Sequence, residues 1–179
     1  MEAAYGRGAG YANVQCADAC LTHARPCSDK MPMNILIISP GKAKGYLSED
    51  VVLEYTSRIS HYSSIEWKFI SPSEPSDEAD KILKIIPANS FVVILDENGK
   101  SLDSLQFSNL IEKRLNESVK NIVFVIGGAY GIDEKVKEVA QQSISLSAMV
   151  FPHELVRSIL AEQIYRAFTI IKGEKYHHK

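Results

Sequence analysis

Four side chains near the C-terminus could handle a proton or hold an anion: His153, Arg157, Tyr176 and His177. An imidazole can exchange a proton near neutral pH, a guanidinium clamps a phosphate or carboxylate, and a phenol ring offers a face on which a base can stack. A second candidate is backbone rather than side chain. In "FVIGGAYGIDEKV" (124–136) an apolar run meets Gly127 and Gly128, Gly131 follows, and a helical pattern comes next. Strand, glycine-rich turn and helix is a common way of bringing main-chain N–H groups to a nucleotide. Alone, the glycines equally fit a tight strand-to-helix turn. A third group, Cys16, Cys20, His23 and Cys27, offers sulfur and imidazole. Its spacing matches no standard zinc pattern, so no metal site is expected.

These groups must be carried by regular elements, and the chain supplies them in alternation from Met33 onward. "NILIIS", "IEWKFI", "FVVILD", "NIVFVI" and "ISLSAMVF" are short apolar runs that read as strands. Between them, "SEDVVLEYTSRISHY", "SDEADKILKII" (opened by Ser76), a segment started by Asp103, and "DEKVKEVAQQ" carry helical spacing. "ENGKS" reads as a turn. "HELVRSILAEQIYRAFTIIK" is the longest helix, and Gly173 stands where a C-cap glycine belongs. Nearly all-apolar strands alternating with helices imply an α/β fold, a mostly parallel sheet covered by helices on both faces.

A chain of 179 residues, 45% hydrophobic and 23% charged, suits a single α/β domain. Its net charge of −2 gives no overall field for nucleic acid, so RNA contact would need a local basic patch. All three cysteines precede Met31, and the cysteine-free remainder fits a reducing, cytoplasmic setting. Residues 1–32 lack both strand and helix patterning and are read as a disordered or non-native extension, with residues 33–179 as the domain.

The glycine turn fails the dinucleotide fingerprint. That motif needs G-x-G-x-x-G after the first strand and an acidic residue at the end of the second. Here the first turn is "PGKAKG", the second strand ends "FISPS", and the glycines follow the fourth strand with G-G-x-x-G spacing. A phosphate-binding Walker loop is also excluded, because Lys42 is followed by Ala43. A flavodoxin-like cofactor protein is disfavoured by the same placement.

More specific are "SLSAMVFPHELVRSILAEQIYRAFTIIKGEKYHHK", the preceding "FVIGGAYG" and the earlier "LDENGK". With the motifs SLS-x-M-x-FPH, EQIYRA and a terminal G-E-x-YH in order, residues from about Met33 to Lys179 closely resemble the RlmH family of the SPOUT superfamily. The resemblance implies a C-terminal trefoil knot and a homodimer. It also implies S-adenosylmethionine-dependent methylation of N3 of a pseudouridine in large-subunit (23S) ribosomal RNA within assembled ribosomes, without a metal. By match to the family's cofactor contacts, Leu95, Gly127, Leu146, Ser147, Ala148, Met149, Val150 and Phe151 would hold the donor, with Gly128 allowing close approach. Val150 stands where relatives often carry Thr, so one hydroxyl contact is lost. Leu146 and Met149 also suit plain core packing.

His153 would accept or steer the N3 proton; a capping or packing histidine is the plainer reading. Arg157 lies inside an apolar arc covering roughly two-thirds of the last helix, which calls for more than one packing partner and favours a subunit interface beside the sheet. A charge so placed needs an anion: a carboxylate across an interface, or an RNA phosphate or base. Tyr176 and His177 would fold over the active site, with Lys172, Lys175 and Lys179, and Lys42 and Lys44 of the first loop, adding local positive charge. Without the resemblance the tail reads as a frayed terminus. Two other functions fit the same features: a SPOUT enzyme acting on a different RNA site, or a non-catalytic dimeric RNA-binding or ribosome-associated module.

Overall fold

The computed structural model describes residues 30–41, 46–128 and 130–177. The cysteine cluster and Lys42, Lys44 and Lys179 lie outside the described residues. Among the described residues, five strands, β1 (Asn34–Pro40), β2 (Ser64–Ile70), β3 (Ser90–Ser101), β4 (Asn121–Ile126) and β5 (Gln142–Ser145), form one sheet in the order β2-β1-β4-β3-β5. Every pair is parallel. Five helices among the same residues connect and cover them: α1 (Tyr46–Ile59), α2 (Pro75–Ile85), α3 (Ser104–Asn116), α4 (Glu134–Val139) and α5 (His153–Ile171).

The two-residue period of a strand sorts its side chains onto two faces. Ile35, Ile37, Val93, Leu95, Ile122, Phe124 and Ile126 pack with Ile59 of α1, Phe107 and Ile111 of α3, and Leu160, Ile164 and Phe168 of α5. Their alternates, Leu36, Ile38, Val92, Ile94, Val123 and Val125, pack with Ala79 and Ile82 of α2 and Val136 of α4. α5 contacts both α1 and α3, so two neighbours and the sheet account for most of its broad apolar arc within one chain. Met31 N donates to Tyr62 O (2.7 Å), which ties the chain into the fold two residues before Met33.

The helix ends follow the sequence closely at two places. Asp103 caps α3 with a capping box: Gln106 N donates to its carboxylate (2.7 Å), and Asp103 N donates to Gln106 Oε1 (3.1 Å). Gly173, at φ +67°, ends α5 with Glu174 N on Thr169 O (2.8 Å) and Gly173 N on Ile170 O (3.0 Å). These are the bonds of a Schellman cap. α2 differs slightly, starting at Pro75 rather than Ser76, because proline's fixed φ suits the first helical position.

Two differences from the expected elements shape the site. β3 does not end at Asp96. Ile144 pairs first with Leu95 and then with Lys100, so Asp96–Gly99 bulges out and the strand resumes. A Cβ on Gly99 would stand 2.6 Å from Ile144 C, so only glycine allows this approach. β5, in turn, begins at Gln142, residues expected to finish the preceding helix, and stops at Ser145 rather than running to Phe151. Past Ser145, side chains compete with the ladder: Ser145 Oγ donates to Ser147 O (2.7 Å), and Met149 N donates to Ser147 Oγ (3.0 Å). The chain therefore leaves the sheet as a braced loop.

Candidate functional site

The C-terminal ends of β3, β4 and β5 open into one cleft of about 830 Å³, within the usual size of a small-ligand site. One wall is Leu95, Asp96 and Glu97, where β3 bulges. The second is Ile126, Gly127 and Gly128 with Tyr130, Gly131 and Ile132. The third is Ser145, Leu146 and Ser147, then Met149 to His153, closed by Val156 of α5.

The glycine wall is built by exclusion. A Cβ on Gly127 would meet Ile132 Cγ1 at 2.8 Å, and one on Gly128 would meet Glu78 Oε2 at 2.7 Å. Glu78 belongs to α2 and is buried; its Oε1 accepts from Ser73 N (3.0 Å), which holds the carboxylate behind the turn. Gly128 and Gly131 form an isolated bridge, with Gly131 N donating to Gly128 O (3.1 Å). Gly131 sits at φ +82°, where a side chain would be strained. Gly127, Gly128 and Gly131 thus present bare backbone to the cleft.

Of the nine residues expected to hold a cofactor, Leu95, Gly127, Gly128, Leu146, Ser147, Met149, Val150 and Phe151 line this cleft together, and His153 joins them. Ala148 is exposed and does not line it. Val150 is 79% exposed on the rim, so the threonine hydroxyl missing at this position would have stood at the mouth rather than the floor.

Arg157 lies one helical turn beyond His153 but points away from the cleft. It is 2% exposed, and its partners are neutral: Nε donates to Ser39 Oγ (2.8 Å), and Nη2 donates to Pro40 O and to Gly41 O (3.3 Å). Its guanidinium also lies over the Phe69 ring, 5.3 Å from the centroid. Burial lowers its pKa from the usual value, with Glu154 opposing the shift. The expected anion is therefore replaced, among the described residues, by oxygens at the end of β1. Three such dipoles can solvate a charge that burial has stripped of water. A Cβ on Gly41 would lie 3.5 Å from both Arg157 Nη2 and His153 Nε2, so the end of β1, His153 and Arg157 form one packed unit.

Tyr176 and His177 are not brought to the cleft. The tail folds back on α5: Tyr176 packs edge-on against Tyr165 (4.8 Å between centroids), and its hydroxyl lies 3.2 Å from both Tyr55 Oη and Glu162 Oε1. His177 Nδ1 is 3.5 Å from Arg166 Nη1. Tyr62 Oη donates to Glu174 Oε2 (2.5 Å). Burial, then hydrogen bonding, pushes the pKa of both Tyr62 and Tyr176 above the usual phenol range. Glu162 is nine residues along α5 from His153, about 14 Å at 1.5 Å per residue.

Glu78, Tyr130, Asp96 and Glu97 belong to the site but are not singled out by the sequence. Glu78 sits among Asp77 and Asp80 at a helix start, and only the fold shows that it alone of the three is buried. Tyr130 lies inside the glycine run, where its exposure could have been read only with the turn geometry in hand.

A parallel sheet whose C-terminal edge carries a glycine-walled cleft, followed by a helix that returns between α1 and α3, defines a class. The family model described as "Predicted SPOUT methyltransferase" matches residues 33–177, and the chain belongs to that family. Within it, the chain is similar to "Ribosomal RNA large subunit methyltransferase H" of Christiangramia forsetii, 41% identical over 157 residues covering 82% of this chain and all (100%) of the relative. The protein of the same name from Clostridium botulinum is 41% identical over 158 residues, covering 81% of this chain and 99% of that one. In fold, it is similar to the "Probable Methyltransferase" of Bordetella pertussis Tohama I, with a TM-score of 0.52 at 9% identity, over 76% of this chain and 95% of that one.

The cleft fits the methyl donor such a family implies. Gly127 and Gly128 leave one wall as bare backbone, the floor is apolar at Leu95 and Leu146, and Glu97 adds a carboxylate beside Asp96, whose Oδ2 lies 3.9 Å from Lys137 Nζ.

Proposed function

We propose that this chain transfers a methyl group from S-adenosylmethionine to large-subunit ribosomal RNA, at N3 of a pseudouridine. The observation that carries the reading is the glycine-walled cleft at the ends of β3, β4 and β5. It gathers eight of the nine residues expected to hold the donor around His153. The relatives' names supply the substrate class.

When bound, the donor supplies a methyl carbon activated by a sulfonium. The chain's own residues do the rest. Gly127 and Gly128 let the backbone approach closely, while Asp96 and Glu97 favour a cationic donor over its neutral thioether product. His153, at the rim, would take the N3 proton of the target base as the methyl group is transferred to that nitrogen. Arg157 is a positioning residue, fixing α5 to the end of β1 so that His153 faces the mouth. Most of the rate enhancement comes from holding the reacting atoms in line.

The chain acts as a homodimer in this reading. Tyr176 by Glu162 and His177 by Arg166 lie about 14 and 20 Å along α5 from their own His153, so the tail would complete the cleft of a second copy. Leu155 (45% exposed) and Phe69 (41%) supply apolar surface for that contact. The trefoil knot is supported by connectivity: β5 lies at the sheet edge beside β3, whereas α5 packs between α1 and α3, so the chain crosses back past the β3–α3 connection. A ribosomal substrate places the protein in the cytoplasm. Among the described residues no helix is long and apolar enough to cross a membrane.

The test is transfer itself. Large ribosomal subunits from cells lacking the gene, incubated with the chain and S-adenosylmethionine, should gain one methyl on a pseudouridine by mass spectrometry. His153→Ala should lower turnover about 10²-fold with unchanged donor affinity. No methyl gain with a folded chain that binds the donor would refute the substrate; equal turnover in His153→Ala would refute the proton role.

A further inference from the structure

The three most exposed large apolar side chains among the described residues are Tyr130 (81%), Val150 (79%) and Met149 (71%). All three stand on the rim of the same cleft, and the next in exposure, Leu53 at 59%, lies elsewhere on α1. Tyr130 also differs from the other tyrosines whose side chains are described. Tyr55, Tyr62, Tyr165 and Tyr176 each pack against another ring, whereas Tyr130 has no hydrogen bond or ring contact among the described residues.

Exposure alone would not distinguish a platform from a floppy loop tip. The turn beneath Tyr130 is closed by Gly131 N on Gly128 O and backed by Ile132 and the buried Glu78. The ring thus stands beside a turn closed by a main-chain hydrogen bond, at the outer end of a wall whose inner end is Gly127.

We propose that Tyr130 is a stacking platform for an unpaired nucleobase of the RNA substrate, with Met149 and Val150 as the opposing apolar lip. This rests on the RNA-methylating function proposed above. A nucleobase has the required chemistry: two flat apolar faces for the ring and lip, and polar edges that tolerate Asp96, Glu97 and Ser147 nearby. Stacking on an aromatic side chain accepts any base and adds affinity without sequence readout. The inner, more enclosed end of the wall is left to the donor.

The experiment compares wild type, Tyr130→Ala and Tyr130→Phe as full chains, using S-adenosylmethionine and unmethylated large ribosomal subunits. Tyr130→Ala should raise the KM for the RNA about tenfold or more with little change in kcat. Tyr130→Phe should keep the wild-type KM, and calorimetry should give all three the same donor Kd. An unchanged KM in Tyr130→Ala overturns the platform. So does a fall in donor affinity, which would assign the ring to the donor's adenine, or a change in oligomeric state, which would make the rim a subunit contact. A wild type that binds neither donor nor RNA overturns the proposed function and the platform together, whereas an active wild type with an equally active Tyr130→Ala removes the platform only.

Discussion

α5 begins and ends in opposite kinds of surroundings. At its C-terminal half almost every polar group is matched: Arg166 with Glu162 (2.6 Å), Tyr62 with Glu174, and Tyr176 with Tyr55 and Glu162. At its N-terminal end a buried guanidinium rests on neutral oxygens, and the residues around it line an open cleft with an apolar rim. A region whose groups satisfy each other holds the fold and has little left for a ligand. A region with a cradle walled by glycine, a ring unpartnered among the described residues and an imidazole on the rim has chemistry to spare. In the proposed reading, the contrast gives stability to one end of the helix and catalysis to the other.

The largest effect expected is from removing residues after Gly173. Methylation should fall at least a hundredfold while donor affinity and the dimer persist; full activity in the shortened chain would break the link between the ends. Next comes Arg157→Ala, which leaves Ser39 Oγ and the Pro40 and Gly41 carbonyls without their donor. Chemical denaturation should show a loss on the order of 3 kcal/mol. A negligible loss would mean the buried charge is not what joins α5 to β1.

Gly128→Ala should weaken donor binding about tenfold, because its Cβ would press on a buried, hydrogen-bonded carboxylate 2.7 Å away. Adding Glu78→Ala should restore part of the affinity; no rescue would locate the clash elsewhere. The smallest effect is at the tail cluster. Tyr62 and Tyr176 have folded pKa values raised above their unfolded value of about 10. Their neutral forms therefore stabilise the fold fully below pH about 10, and stability falls above it as the unfolded chain releases protons that the folded chain keeps. Tyr176→Phe, costing about 1 kcal/mol, should flatten this alkaline decline in a pH series of denaturation curves.

Much of the fold was legible because it depends on local pattern. Apolar runs such as "NIVFVI" could only be buried strands, Asp103 and Gly173 announced helix ends, and the tail motifs carried the family. Two kinds of feature were hidden. The bulge at Asp96–Gly99 and the early end of β5 depend on which strand lies beside which, and no local period encodes that. The partners of Arg157 and the burial of Glu78 depend on contacts between residues 118 and 50 positions apart, respectively. Periodicity placed Arg157 on an apolar arc correctly, but charge alone suggested an anion where the fold offers the end of a strand. Tyr176 and His177 were matched by motif to an active site that a single chain does not let them reach.

Calorimetric titration of S-adenosylmethionine into wild type, Gly128→Ala and the chain ending at Gly173 tests the assignment of the cleft most directly. The account predicts saturable binding by wild type at one site per chain, weaker binding by Gly128→Ala, and undiminished binding by the shortened chain. No binding by a folded wild type, or a loss that follows the tail rather than the glycine wall, would contradict it.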